Sequence, residues 1–411
     1  MKNRAATWLV QPQNKLGLGG LIVLLVVTSL ITPLSLDMYI PAIPTMTENF
    51  AASADVINLT LVGYFLFFAI ALLIFGPLSD RYGRKKVLLA GIIIYTAGSA
   101  ACALSFTIEI LIAMRIVQAL GAGAVSAVST AVVKDAVIPE KRELLLSIIQ
   151  VMFVVGPVFA PVIGALILQF TNWRMTFWAL TIVGGLCSIM SLLFEETLPD
   201  KQRYEGSVFS SIKQLGVVAK NKGFSSFLLI VGLFNLPFMA YIAVGSYVYI
   251  SFFGLSELEY SLFFSVAALL TVTGPFIWLK ASKYVTARKF TSIILVISFL
   301  AGVAMLIIGE MSPYLFCFTF LIFAVAEACV RPYSTNILLS QKDEDTGAAS
   351  SLINFTHTVV GCIGMAVAVL PWPNYVIAVA TIITTTMIAA IIAWFFFLRS
   401  SIPLEGLKDK R

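Results

Sequence analysis

Charge is scarce in this sequence. Of its 411 residues only 12% are Asp, Glu, Lys or Arg, about half the roughly 25% of a typical soluble chain. With 59% of residues hydrophobic, there is too little polar surface to clothe a water-facing core. Histidine occurs once, so no histidine-rich metal set can form. Cysteine occurs five times, at positions 102, 187, 317, 329 and 362, always inside apolar runs and never as CxxC. An odd, scattered count excludes a disulfide framework and a zinc site. No nucleotide loop and no nucleophile triad appears either. Soluble enzyme, disulfide-rich secreted protein and DNA-binding domain fall away together, and no cofactor, metal or nucleic-acid partner is expected.

What remains is apolar sequence in long runs, with a mean hydropathy of +0.97. A helix needs about 20 apolar residues to cross the hydrocarbon layer. Twelve segments qualify, near 18–44, 54–76, 87–105, 107–134, 143–169 and 174–194, then 224–252, 258–280, 290–309, 312–339, 346–369 and 373–398. The longest polar stretch, 195–223, divides six from six. The expected architecture is an all-α membrane protein with an N-terminal six-helix half (1–194), a cytoplasmic linker (195–223) and a C-terminal six-helix half (224–411).

The net charge of +6 is explained by topology. Twenty-four of the 27 basic residues fall in the N-tail, the even-to-odd loops and the C-tail, and only Arg174 falls on the opposite face. Arg115 and Arg331 lie within helices. Both termini are therefore expected in the cytoplasm. Lys2, Arg4 and Lys15 precede an apolar run, and Ala52-Ser53-Ala54 resembles a cleavage site. The run is far longer than the 7–15 residues of a signal core, so it reads as a retained first helix.

Gly76–Lys86 reads G-P-L-S-D-R-Y-G-R-K-K, and K-A-S-K-Y-V-T-A-R-K at 280–289 closes segment 8 in the same way without the Asp-Arg pair. Two six-helix halves related by a weak repeat are typical of duplicated transporters, whose site lies near the midplane between halves. Gly83 suits a tight turn. Asp80 is placed to accept from a helix N-terminus or a basic group. On charge alone, the stretch is equally a generic cytoplasmic loop.

The spacing of Gly76, Asp80, Arg81, Gly83 and Arg84 resembles the loop 2–3 signature of the major facilitator superfamily. L-I-A-M-R-I-V-Q-A-L-G-A-G at 111–123, with Arg115, Gln118 and Gly121, resembles that family's helix 4 motif. Gly156-Pro157, followed by Pro161 and Gly164, is similar to the helix 5 motif of drug:proton antiporters, although Pro161 interrupts its glycine-rich tail. The plainer reading of these residues is a kinked helix that packs closely. L-D-M-Y-I-P-A-I-P at 36–44 resembles the bicyclomycin and chloramphenicol resistance (Bcr/CflA) branch. The resemblance implies the twelve-helix major facilitator fold and a bacterial inner-membrane multidrug efflux antiporter, working as a monomer on a small-molecule substrate and protons in the lipid bilayer.

An ionisable group within a membrane helix costs at least about 2.5–3.5 kcal/mol and is a functional candidate by default. Asp37 and Arg115 are expected at the same depth, roughly 10–12 Å below the outer surface at 1.5 Å per residue. They are candidates for a pair, either structural or proton-coupling. Glu327 is the rival proton carrier, with Arg331 at i+4 placed to close a salt bridge on one helix face. His357 is either a hydrogen-bonded core residue or a further proton site. Tyr39, Gln118, Asn235, Phe238, Tyr241 and His357, with Asn336 beyond them, are the substrate-cavity candidates. They form an aromatic wall with few polar handles, suited to amphiphilic ligands. Gly121-Ala122-Gly123 lacks a preceding strand and reads as packing, not phosphate binding.

The expected function is proton-coupled export of small amphiphiles. An importer of a metabolite or siderophore keeps the same fold. A non-transporting membrane sensor would gain little from burying Asp37 and Arg115, and no acid–base set supports a membrane enzyme.

Overall fold

The computed structural model describes residues 8–10, 12–200, 203, 215–341 and 346–407. Lys2, Arg4, position 210, most of the linker and the last four residues lie outside the described residues. Within the described residues, twelve helices are long and apolar enough to span a membrane. They are α1 (Gly17–Phe50), α2 (Ala54–Tyr82), α3 (Arg84–Ala103), α4 (Ile108–Ala136), α5 (Pro139–Phe170) and α6 (Arg174–Leu193), then α7 (Lys222–Phe252), α8 (Glu257–Ala281), α9 (Ala287–Met311), α10 (Pro313–Leu339), α11 (Gly347–Ala368) and α12 (Tyr375–Arg399). Among the described residues the sole β-pairing is an isolated bridge, Leu9 to Val137. The outward faces are oily: Ile182, Leu186 and Ile189 stand exposed at i, i+4 and i+7 on α6. A continuous exposed apolar stripe of that kind belongs against lipid.

The chain forms two compact units, Met1–Ser210 and Ser211–Arg411. In the first, one end gathers the N-tail, the α2–α3 and α4–α5 turns and the end of α6. Val10 N–H donates to the Ala136 carbonyl at 2.8 Å, and Ile138 N–H to that of Trp8 at 3.0 Å. The Gln13 side chain bonds both backbone groups of Glu195. At the other end Arg174 donates to the Ser105 carbonyl at 3.0 Å and Phe50 lies against Trp173. The second unit repeats the scheme. Gln341, in the α10–α11 turn, bonds Glu405 of the C-tail in both directions, and Asn374 donates to Glu310 at the opposite end. The N-tail and the even-to-odd turns therefore share one end of the first unit, and the α10–α11 turn meets the C-tail in the second.

Helix ends depart from the hydropathy reading. The Gly76–Lys86 stretch is not a loop: α2 runs on to Tyr82, α3 starts at Arg84, and Gly83 alone separates them. Hydropathy marks where the bilayer ends, whereas a helix continues into water as long as its backbone bonds close. Gly83 adopts φ +96°, a conformation that glycine enters without a Cβ penalty.

The first helix of each unit is discontinuous. In α1 the regular helix ends at Asp37, passes through a 3-10 turn at Ile40–Ala42 and resumes at Ile43. Pro41 and Pro44 lack the N–H groups that an unbroken helix would use. In α7 the break falls between Gly232 and Asn235, and Tyr247–Phe252 is wound as π-helix. By contrast α5 runs unbroken from Pro139 to Phe170 despite Pro157 and Pro161. Paired interruptions in corresponding helices mark ligand and ion sites in duplicated transporters.

Small residues set the spacing inside each unit. A Cβ at Gly121 would overlap the Tyr95 amide of α3, and one at Gly123 would press on the Phe68 carbonyl of α2. The Gly121-Ala122-Gly123 run is therefore a packing seam. In α5, Gly156 lies against Pro33 and Gly164 against the Met38 carbonyl, both of α1. The second unit has the same device, with Gly364 of α11 against the Leu236 carbonyl of α7.

Candidate functional site

Asp37 is buried, and it is the last residue of the regular part of α1. Gly164 meets the very next carbonyl, that of Met38. The Gly156–Gly164 seam of α5 thus seals α1 directly beside Asp37.

Arg115 is fully buried on α4. Its Nη1 donates to the Ser35 carbonyl at 2.9 Å and to Gln118 Oε1 at 2.7 Å. Gln118 in turn donates from Nε2 to Ser99 at 2.8 Å, and the Ser35 hydroxyl shares a 2.8 Å hydrogen bond with Tyr95. The Ser35 carbonyl belongs to the last turn of the regular helix, where carbonyls lose their partners and a cation is favoured by the helix dipole. Arg115 therefore caps the break in α1. Around the guanidinium stand the rings of Tyr64, Tyr39 and Phe177, at 4.3, 4.4 and 5.7 Å from the guanidinium carbon to each ring centre.

The expected Asp37–Arg115 pair is not formed. No ion pair among the described residues includes either side chain. Depth was the right clue and azimuth the missing one. Arg115 reaches the level of Ser35, and residues two apart on a helix point about 200° away from each other. Energetics agree. Hydrogen bonds from a charged donor contribute about 1.5–3 kcal/mol each, and ring contacts about 0.5–2 kcal/mol each. Together they offset an insertion cost of at least about 2.5–3.5 kcal/mol without a carboxylate.

The signature residues around Gly83 form a second cluster. Arg84 is buried, pairing with Asp80 at 2.6 Å and with Asp135 from the end of α4 at 2.7 Å. Its Nη1 also donates to Ser79 at 2.6 Å. Of its two expected partners, a helix N-terminus or a basic group, Asp80 takes the basic one, and the acceptor for the α3 N-terminus is Glu196. Its carboxylate accepts from the Arg84 and Lys85 amides at 2.9 and 3.2 Å and from its own Thr197 and Leu198 amides. It lies against Gly83, where a Cβ would strike it. A methyl group on Gly76 would meet nothing within 4 Å, and Gly76 enters the network only through its carbonyl, which accepts from Ser79 at 2.8 Å, while Arg81 turns to the Tyr82 ring. Glu196 and Asp135 were missed because each stands at the polar end of an apolar segment, where hydropathy assigns loop. Asp80→Asn should remove one of two anions on Arg84 and slow transport severalfold at unchanged expression, while Glu196→Gln should also lower thermal stability, because a charge-assisted cap worth about 0.5–2 kcal/mol is weakened. Initial transport rates and melting curves on both variants check this.

In the second unit Glu327 is buried on α10 while Arg331 is exposed. The expected i,i+4 salt bridge is absent from the ion pairs of the described residues. A long basic stem reaches water more cheaply than its charge enters an apolar interior. His357 is buried with Nδ1 unpartnered, and its backbone carbonyl accepts from Asn235 at the α7 break.

The cavity candidates separate by what they touch. Tyr39 shares a 3.0 Å hydrogen bond with Thr60, and Gln118 is spent on Arg115 and Ser99. Tyr241 is buried in a stack with Phe320, 3.6 Å between ring centres. Phe238 is half-buried beside the same Phe320. Asn336 lines a cavity of about 440 Å³ in the second unit with Trp278, Tyr333 and Pro332.

Comparison with known proteins adds four findings. A family model described as Major Facilitator Superfamily matches residues 25–365. YdgK of Bacillus subtilis (strain 168), an uncharacterized MFS-type transporter, is 28% identical over 83% of this chain and 86% of its own. A bicyclomycin resistance protein homolog of Haemophilus influenzae is 22% identical over 82% of this chain and 85% of its own. Among solved structures, a peptide transporter, POT, in complex with sulfate superposes with a TM-score of 0.76 over 97% of both chains, at 15% identity. At that identity the likeness is one of fold.

Proposed function

The chain belongs to the major facilitator superfamily, and from that premise we propose that this multi-pass transporter is a proton-coupled antiporter exporting small amphiphilic molecules by alternating access. The observation that carries the reading is Asp37: a buried carboxylate with no ion pair among the described residues, at the break of α1, sealed by the glycine–proline seam of α5. An ionised carboxylate in that position needs a proton or a cationic ligand to neutralise it. One site that must hold either, and not neither, is the minimal device for exchange. Glu327, also buried without an ion pair among the described residues, is the alternative carrier in the second unit.

The names of relatives support the direction of transport, because a bicyclomycin resistance protein homolog and the multidrug resistance protein MdtL of Escherichia coli are among them. Oriented vesicles carrying the purified protein test the reading. An imposed proton gradient should drive accumulation of lipophilic cations or uncharged amphiphiles against a countermoving proton. Co-movement of substrate and proton in one direction would overturn it in favour of an importer.

We place both termini and the 195–223 linker on the cytoplasmic side of a bacterial inner membrane, on the twenty-four-to-one asymmetry of basic residues. A single cysteine introduced at position 210 should be labelled by an impermeant maleimide only after the cells are opened. Labelling in intact cells would reverse the orientation.

A further inference from the structure

We propose that the second unit carries a headgroup site for an anionic phospholipid, in the cavity of about 440 Å³ between α8, the start of α9 and the end of α10.

The weak repeat explains why a cavity stands there. Gly274-Pro275 of α8 matches Gly76-Pro77 of α2, so Trp278 falls where Asp80 falls, four residues after the glycine. Arg84 is the first residue of α3, and Ala287 is the first residue of α9. In the first unit the crevice is filled, because Arg84 is buried and pairs with both Asp80 and Asp135. In the second an alanine replaces the arginine and an indole replaces the acid. Pro275, Trp278, Ala287, Tyr333, Asn336 and Ser340 are among the residues that line the resulting cavity.

Its chemistry suits an anion with an apolar body. In the first unit the Arg84 and Lys85 amides, in the first turn of α3, donate to the Glu196 carboxylate at 2.9 and 3.2 Å. The Ala287 and Arg288 amides hold the same positions in α9 and meet no acceptor among the described residues. A position that binds a carboxylate in one unit therefore has no protein acceptor in the other, at the positive end of a long helix. No carboxylate lines the cavity, and its residues Asn336 and Trp278 carry two further donors, an amide and an indole N–H. Next in chain to the lining stand Lys280, Arg288 and Arg331, all exposed, against a single acid, Glu405. On α8, Phe276 and Leu279 are 66% and 60% exposed, so an apolar surface adjoins the cavity. A soluble anion gains nothing from that surface, whereas acyl chains cover it. Basic pockets between helices at a membrane face take lipid phosphates in this way.

The full-length protein, stripped of lipid in a neutral detergent, is titrated with phosphatidylglycerol or phosphatidylcholine, and bound lipid is counted by native mass spectrometry. Wild type should bind one phosphatidylglycerol about tenfold or more tightly than phosphatidylcholine. Ala287→Glu sets a carboxylate at the α9 N-terminus, where it suits the helix and fills the site. It should weaken phosphatidylglycerol by about tenfold or more, the loss of a hydrogen bond to a charged group. Ser282→Glu adds the same charge on the exposed α8–α9 turn, outside the lining, and should change the affinity less than about twofold. If Ala287→Glu does not fold, Asn336→Leu takes its place and should weaken binding about threefold without altering charge. Equal affinity in the lining variant and in Ser282→Glu overturns the proposal, as does a wild type that binds both lipids alike. Displacement of phosphatidylglycerol by inorganic phosphate would assign the cavity to a free anion and overturn the lipid site.

Discussion

Asp37→Asn should abolish exchange driven by a pH gradient, a loss on the order of a hundredfold or more for a group that carries the proton, while leaving substrate binding measurable. A wild-type protein that binds a cationic ligand should release a proton to the medium, and the variant should not. The obvious objection to such a substitution is that it strands a buried cation, which costs several kcal/mol when an ion pair is broken. That objection does not hold for this arrangement. Arg115 is bonded to Ser35 and Gln118 and ringed by Tyr39, Tyr64 and Phe177, so Asn at position 37 removes none of its partners. The variant should melt within about 3 °C of wild type, the shift expected of less than about 1 kcal/mol in a unit of this size. Glu327→Gln is the control for the rival carrier. Stable Asp37→Asn protein that still acidifies the medium on substrate addition would move the proton elsewhere.

A second large effect is expected at the seam between α1 and α5. Replacing a helical glycine by alanine ordinarily stabilises by about 1 kcal/mol through helix propensity. At Gly164 the new Cβ would collide with the Met38 carbonyl, and a backbone atom cannot step aside as a side chain can. Overpacking of that kind costs about 1–3 kcal/mol, so the sign reverses and Gly164→Ala should destabilise. Gly364→Ala should do the same against the Leu236 carbonyl in the second unit. Gly185 on α6 has nothing within 4 Å of its Cβ position, and Gly185→Ala should be neutral or mildly stabilising. Thermal unfolding of the three purified variants separates them. Gly164→Ala should also slow transport, because the carbonyl it displaces follows Asp37 directly. Equal stability of Gly164→Ala and Gly185→Ala would show that the seam is loose.

Composition and run length alone determined that the chain is a twelve-helix membrane protein, because apolar residues in such excess admit no other solvent. Three local motifs were equally legible. Gly83 had to be a turn, the Gly121–Gly123 run had to be packing, and the signature stretch around Asp80 and Arg84 identified the family. Pairings were a different matter. Sequence spacing places Asp37 and Arg115 at one depth, and Glu327 one turn from Arg331, but it says nothing of the direction in which each side chain leaves its helix. The fold turned Arg115 toward the Ser35 carbonyl and into three rings from α1, α2 and α6, sent Arg331 outward, and brought Glu196 from the end of α6 onto the first turn of α3. Each of these contacts joins helices distant in the chain, and depends on azimuth and on which neighbours the glycine seams admit. Hydrophobicity is a property of single residues, readable one at a time, whereas partnership of buried charges is set by the geometry of packed helices, and only the tertiary structure decided it.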